Sequence, residues 1–151
     1  MPQRRTVDRA RRAQREGKAP STAAGEFVRE EIEHVREGKH GARSARQAIA
    51  IGLSKARRAG VPLPPPKKGD TSKTTRRQAE RDVQRGKRRR PVSPRRSRAS
   101  LRVLKREGSA AASPLALSRQ ARQSKRRRAK NAKKGSRKAA KRGITAKEKR
   151  A

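Results

Sequence analysis

The sequence predicts an all-α protein wherever it is ordered, a small helical hairpin with mostly disordered basic arms and tail. Three observations predict it. Hydrophobic residues make up 28% of the 151 and charged residues 40%, with a formal net charge of +36, so most of the chain lacks the apolar surface needed to offset its conformational entropy. Apolar residues recur at helical spacing only between about residues 26 and 60. The few breaks there are glycines and prolines placed where helices end.

Residues 1–21 read as a basic arm, seven bases against two acids, with a short helix from Val7 to Glu16. Residues 22–60 carry the hairpin and are nearly balanced in charge. In its first helix Phe27, Val28, Ile32 and Val35 fall within one arc. Glu26, Glu30, Glu33 and Glu37 form an acidic stripe on the other side, read either as a solvated face or as a partner for the basic face of the second helix, and Gly38 closes the helix.

The second helix is the stretch "SARQAIAIGLSKARRAG". Ser44 and Gln47 have capping-box spacing, and Gly60 with Pro62 ends the helix. Ala45, Ala48, Ile49, Gly52, Leu53 and Ala56 share one face, and Arg46, Gln47, Ser54, Lys55, Arg57 and Arg58 share the other. Such a small-residue face admits close approach of another helix, which gives a hairpin core of Phe27, Ile32, Val35, Ala48, Ile49, Gly52, Leu53 and Ala56. With so small a core the hairpin is marginal in isolation, and a homodimer through it is an open expectation. Ile51 stands on the basic side.

Beyond it, residues 61–75 form a Pro/Lys-rich linker. Residues 76–112 hold two marginal short basic helices ending at Gly86 and Gly108. Residues 113–151 are a Lys/Arg/Ala-rich tail in which Ser113 and Pro114 mark a helix start. From residue 61 onward there are 33 bases and five acids.

The run "RQAIAIGLSKARRAG", with its preceding amphipathic helix and basic Pro-rich exit, resembles an uncharacterised family of small basic bacterial proteins, a domain of unknown function; no activity follows from the likeness. The tail more loosely resembles linker-histone tails and bacterial histone-like proteins. "SPRR", Ser93–Arg96, resembles the Ser-Pro-basic turns of histone tails, and "GKRRRP", Gly86–Pro91, is partly like an A·T-hook.

Cysteine is absent, which removes thiolate chemistry, disulfides and Cys-based zinc sites. No Gly-rich phosphate loop or Ser/His/Asp set is present, so no enzyme and no cofactor are expected. His34 with Glu30 or Glu31 has helical spacing and His40 lies near, but two histidines in a Glu-rich helix read as surface chemistry, and no metal is expected. A polycation of this density points to nucleic acid bound through phosphates. One Phe and no Tyr or Trp disfavour base stacking on single strands.

The expected function is therefore non-enzymatic, largely sequence-independent duplex-DNA binding by a histone-like, nucleoid-associated cytoplasmic protein, with structured RNA or a ribosome-associated role as the alternative and no membrane partner. The residues expected at phosphate are Arg57, Arg58, Arg88, Arg89, Arg90, Arg95, Arg96, Arg126, Arg127 and Arg128.

Overall fold

Alanine decides how these helices meet. The computed structural model describes residues 2–88 and 93–148. Among them are six α-helices: α1 (Arg4–Arg15), α2 (Pro20–Arg36), α3 (Ala45–Arg58), α4 (Lys73–Arg88), α5 (Pro94–Leu104) and α6 (Pro114–Glu148), with a 3-10 turn at Ala110–Ala112. The described residues contain no strand, only an isolated bridge between Lys68 and Thr71. The chain is all-α. It divides into two units, Met1–Ser113 and Pro114–Ala151.

Within the first unit, α2 and α3 are the predicted hairpin, and α1 and α4 extend it by packing on α2 and α3 respectively. Eleven of its fourteen buried apolar residues are alanines, so each contact buries little area but lets the helix axes approach closely. The apolar residues form two clusters, one at each end of the hairpin. Ala10, Ala13, Ala23, Ala24, Phe27, Ala56 and Val61 make the first, with Val7, Leu53 and Leu63 against it. Val35, Ala42, Ala48, Ala111 and Ala112 make the second, with Ile32 against it. Between them Gly52 meets α2 so closely that a Cβ there would lie 2.7 Å from the Val28 Cα.

Of the predicted core, Phe27, Val35, Ala48, Gly52 and Ala56 are buried, while Ile32, Ile49 and Leu53 are half-buried. The arm is a structural helix rather than a free one. It starts at Arg4, and Thr6, Ala10 and Ala13 face inward, because alanines at that spacing fit the small-residue surface of α2. The linker too is anchored at its start, through Val61 and Leu63.

Helices α1, α2 and α3 end alike. Gly17, Gly38 and Gly60 have positive φ. Lys18, Lys39 and Val61 donate their N–H groups back to the carbonyls of Ala13, His34 and Ala56, and the three glycines to those of Gln14, Val35 and Arg57. This is the Schellman pattern three times over. At the start of α3, Ser44 Oγ accepts from Gln47 N at 3.2 Å. Gln47 Oε1 reaches back one residue further than the capping box predicts, to Arg43 N at 2.9 Å.

Gly86 does not end α4, which continues to Arg88. It is buried at the crossing with α3, where a Cβ would run into the Arg57 carbonyl. After α5 the chain returns to the hairpin: Gly41 N donates to Leu104 O, Ala42 N to Gly108 O, and Arg36 Nε to Ala112 O. "SPRR" opens α5 with Pro94 in its first turn, so it is helix rather than a free turn. The second unit is the helix α6, beginning at Pro114.

Candidate nucleic-acid interface

Helix α4 shows how the basic side chains are sorted. Ala79, Asp82 and Gly86, spaced by three and four, turn inward. Asp82 accepts from Ser54 Oγ at 2.6 Å and from Gln78 Nε2 at 3.2 Å, and lies 3.7 Å from Arg58 Nε. This inward anchor fixes the outward face, where Arg77, Arg81, Arg85 and Arg88 are exposed. They share one open face of the helix with Glu80 and Gln84. Glu80 is itself held by Arg76 at 3.0 Å. From Arg77 to Arg88 the row is about 16 Å long at 1.5 Å per residue.

In the second unit Arg119, Arg122 and Arg126 line a similar face of α6 with Gln123. Arg126, Arg127 and Arg128 are all exposed there, as are Arg95 and Arg96 on α5. Arg89 and Arg90 lie outside the described residues. Two of the predicted contacts are otherwise engaged. Arg57 is 8% exposed, and its guanidinium donates to the carbonyls of Leu63 and Pro64 at 3.3 Å each. Burial lowers its pKa, with Asp82 acting in the opposite direction. Arg57 therefore ties the Pro-rich exit to α3 and is not offered to a partner. Arg58 is partly covered, with Nε 3.3 Å from Ser54 O and near Asp82.

The periodic arginines at 77, 81 and 85 were missed by a reading that followed contiguous arginine runs. Their signal was the recurrence at every fourth residue.

The acidic stripe is also redistributed. Glu33 and Glu37 are exposed, but Glu26 holds Arg9 of α1 at 3.1 Å, and Glu30, only 2% exposed, accepts from Gln3 N at 3.0 Å. The carboxylate that reaches the second helix is Glu31, outside the stripe, 2.5 Å from Lys55 Nζ. Lys55 is thus drawn off the basic face.

Around Glu31 the structure gathers the chain's two histidines. One donor atom from each of Glu31, His34 and His40 lies within 4.8 Å of the others. His40 Nε2 is 3.3 Å from Glu31 Oε1, and the two rings meet edge to face with centroids 6.0 Å apart. Burial pushes His34 below its ordinary pKa, and Lys55 adds to that against the opposing pull of Glu30.

The comparisons with known proteins bear on this first unit. Residues 3–68 match the model of DUF6496, a family of unknown function. The DUF6496 match takes in α1, α2, α3 and the Pro-rich exit that Arg57 fastens, and it stops short of α4. No curated protein and no solved structure matches the chain. Among the described residues no helix is long and apolar enough to cross a membrane.

Proposed function

We propose that the protein is a non-enzymatic, histone-like DNA-binding protein of the bacterial nucleoid type, which holds duplex DNA through its phosphates with little sequence preference. The observation that carries this reading is the exposed arginine row of α4, fixed in direction by the burial of Ala79, Asp82 and Gly86 on the opposite face. A row held by a packed helix presents its charges without a further backbone ordering cost. The exposed arginines of α5 and α6 add charge of the same kind. Guanidinium groups displace condensed counterions, so the affinity depends steeply on salt, and contacts to phosphate carry no sequence information directly.

The test is binding of the intact chain to a random-sequence duplex and to structured RNA over a salt series, beside the variant R77Q/R81Q/R85Q/R88Q. At about 0.9 per phosphate contact, the slope of log K against log salt should flatten by roughly 3 to 4 in the variant. An unchanged slope would remove α4 from the interface. Tighter binding to RNA than to duplex at equal salt would replace DNA with structured RNA as the ligand.

A further inference from the structure

The cluster at the loop end of the hairpin has a chemistry that phosphate binding does not use. Glu31 is fully buried, and neither of its carboxylate oxygens receives a properly aligned hydrogen bond. Its contacts are by charge: Lys55 Nζ beside Oε2, and His40 Nε2 beside Oε1. The other nitrogen of His40, Nδ1, lies 3.1 Å from the Gly41 carbonyl. A carbonyl only accepts, so Nδ1 donates to it, and Nε2 is the nitrogen turned to the Glu31 carboxylate. A ring nitrogen and an oxygen that receives no aligned hydrogen bond are held face to face, an arrangement that a cation between them would bridge.

The spacing suits a metal ion. Nitrogen and oxygen ligands at about 2.0 to 2.1 Å from a tetrahedral zinc lie about 3.3 to 3.4 Å from each other. His40 Nε2 and Glu31 Oε1 are 3.3 Å apart. His34 completes the set, its donor atom within 4.8 Å of the other two. Its Nε2 lies 3.1 Å from the exposed Gln3 side-chain amide, a contact that an ion could displace. The surroundings supply the outer partners such sites use: the Gly41 carbonyl fixes the His40 ring, and Lys55 occupies the second Glu31 oxygen, leaving Oε1 as a single-oxygen ligand. The buried Glu30 carboxylate, whose Oε1 is 3.7 Å from His34 Nε2, offsets the charge of Lys55.

We infer that Glu31, His34 and His40 form a binding site for one zinc-type divalent ion. Imidazole and carboxylate donors without thiolate suit zinc and its neighbours better than calcium or magnesium. Three protein ligands leave a fourth position for water or an external donor. The ion would fasten the α2–α3 loop, through His40, to the body of α2.

The test follows both imidazoles by NMR in the full-length chain as zinc chloride is added at neutral pH, with cobalt(II) as a visible-absorption probe of geometry. His34 and His40 are the chain's two histidines, so their signals need no sorting. The expected result is that one equivalent of zinc shifts both imidazoles together, cobalt gives the intense visible bands of a tetrahedral site, and the thermal midpoint rises. His34→Gln, at a half-buried position, and His40→Gln should each weaken zinc binding by more than about tenfold, since even an outer-shell loss costs a metal site that much. Far-UV circular dichroism verifies that each variant is folded. If Glu31→Gln disrupts the fold, the two histidine variants still decide the matter. Imidazole signals that ignore zinc would show the cluster to be a plain ion pair and overturn the inference. Equal affinity in His34→Gln, His40→Gln and the parent chain would overturn it as well.

Discussion

At Gly52 a single hydrogen replaces what any other residue would place against the α2 backbone. Val28 Cα and Phe27 O would lie 2.7 and 3.0 Å from an added Cβ, and both belong to a packed helix that cannot move aside locally. Gly52→Ala should therefore destabilise the first unit by about 1 to 3 kcal/mol, the usual cost of overpacking, read as a lower urea midpoint. Arg57 makes a second single-residue test. Arg57→Gln removes the donors that Leu63 and Pro64 use, so it should lower the thermal midpoint while leaving the salt slope of DNA binding unchanged. Arg88→Gln should do the reverse, flattening that slope by about 0.9. Sequence patterning put both arginines in one category because it counts charge, and charge alone does not reveal which guanidinium a neighbouring loop will capture.

Among the elements, the ends of α1 and α2 share a tetrapeptide, Arg-Glu-Gly-Lys, at 15–18 and 36–39. In each copy the glycine takes the left-handed turn and the lysine pairs with the glutamate, Lys18 with Glu16 at 2.8 Å and Lys39 with Glu37 at 2.6 Å. The lysine hydrogen bond holds each carboxyl below its ordinary 4.5. A depressed carboxyl favours the fold above 4.5, and this contribution is lost as pH falls through the lower folded value. Both glutamates are solvent-exposed, so salt should erase the effect. Acid titration of E16Q/E37Q beside the parent chain at low and high salt checks this: the curves should separate only at low salt and converge once the pH falls below the lowered folded value. Gly38→Ala tests the turn itself, with an expected loss of about 1 to 2 kcal/mol for a left-handed non-glycine residue.

The helix boundaries in the hairpin were legible because Gly38, Ser44 and Gly60 are local signals whose physics involves a few neighbouring residues. The role of Gly86 was not. A glycine inside a short basic helix looks like a terminator, and only the approach of the Arg57 carbonyl shows it to be a crossing point. Glu31, His34 and His40 were legible as a group but read as surface chemistry, and the burial of Glu31 and His40 was hidden for a related reason. The helical part of the group was visible, but the return of a loop histidine onto α2 depends on tertiary contacts.

For the whole molecule, the alanine-rich core explains how so polar a chain builds a folded unit. Apolar content underestimates order when alanines fall into register on several helices, because each contributes little area yet permits many backbone atoms to approach. The predicted basic arm was in fact the first of those helices. The division after Ser113 leads to a prediction at this scale. Removing residues 114–151 should leave the cooperative thermal transition of the first unit in place, while the salt dependence of DNA binding falls steeply because sixteen bases are lost with them. Loss of the transition would mean that the tail is part of the folding unit.

The hydrogen bond from Arg36 to Ala112 joins positions 76 residues apart, and the loop amides of Gly41 and Ala42 find their acceptors at Leu104 and Gly108. On a ribosome adding roughly 5 to 20 residues per second, those partners follow about 3 to 15 s behind. During that interval the acceptors do not yet exist, and the loop end of the hairpin is unfastened. The last native contacts of the first unit are therefore timed by translation, and synonymous codon changes between residues 60 and 110 would alter how long a newborn chain remains in that half-closed state.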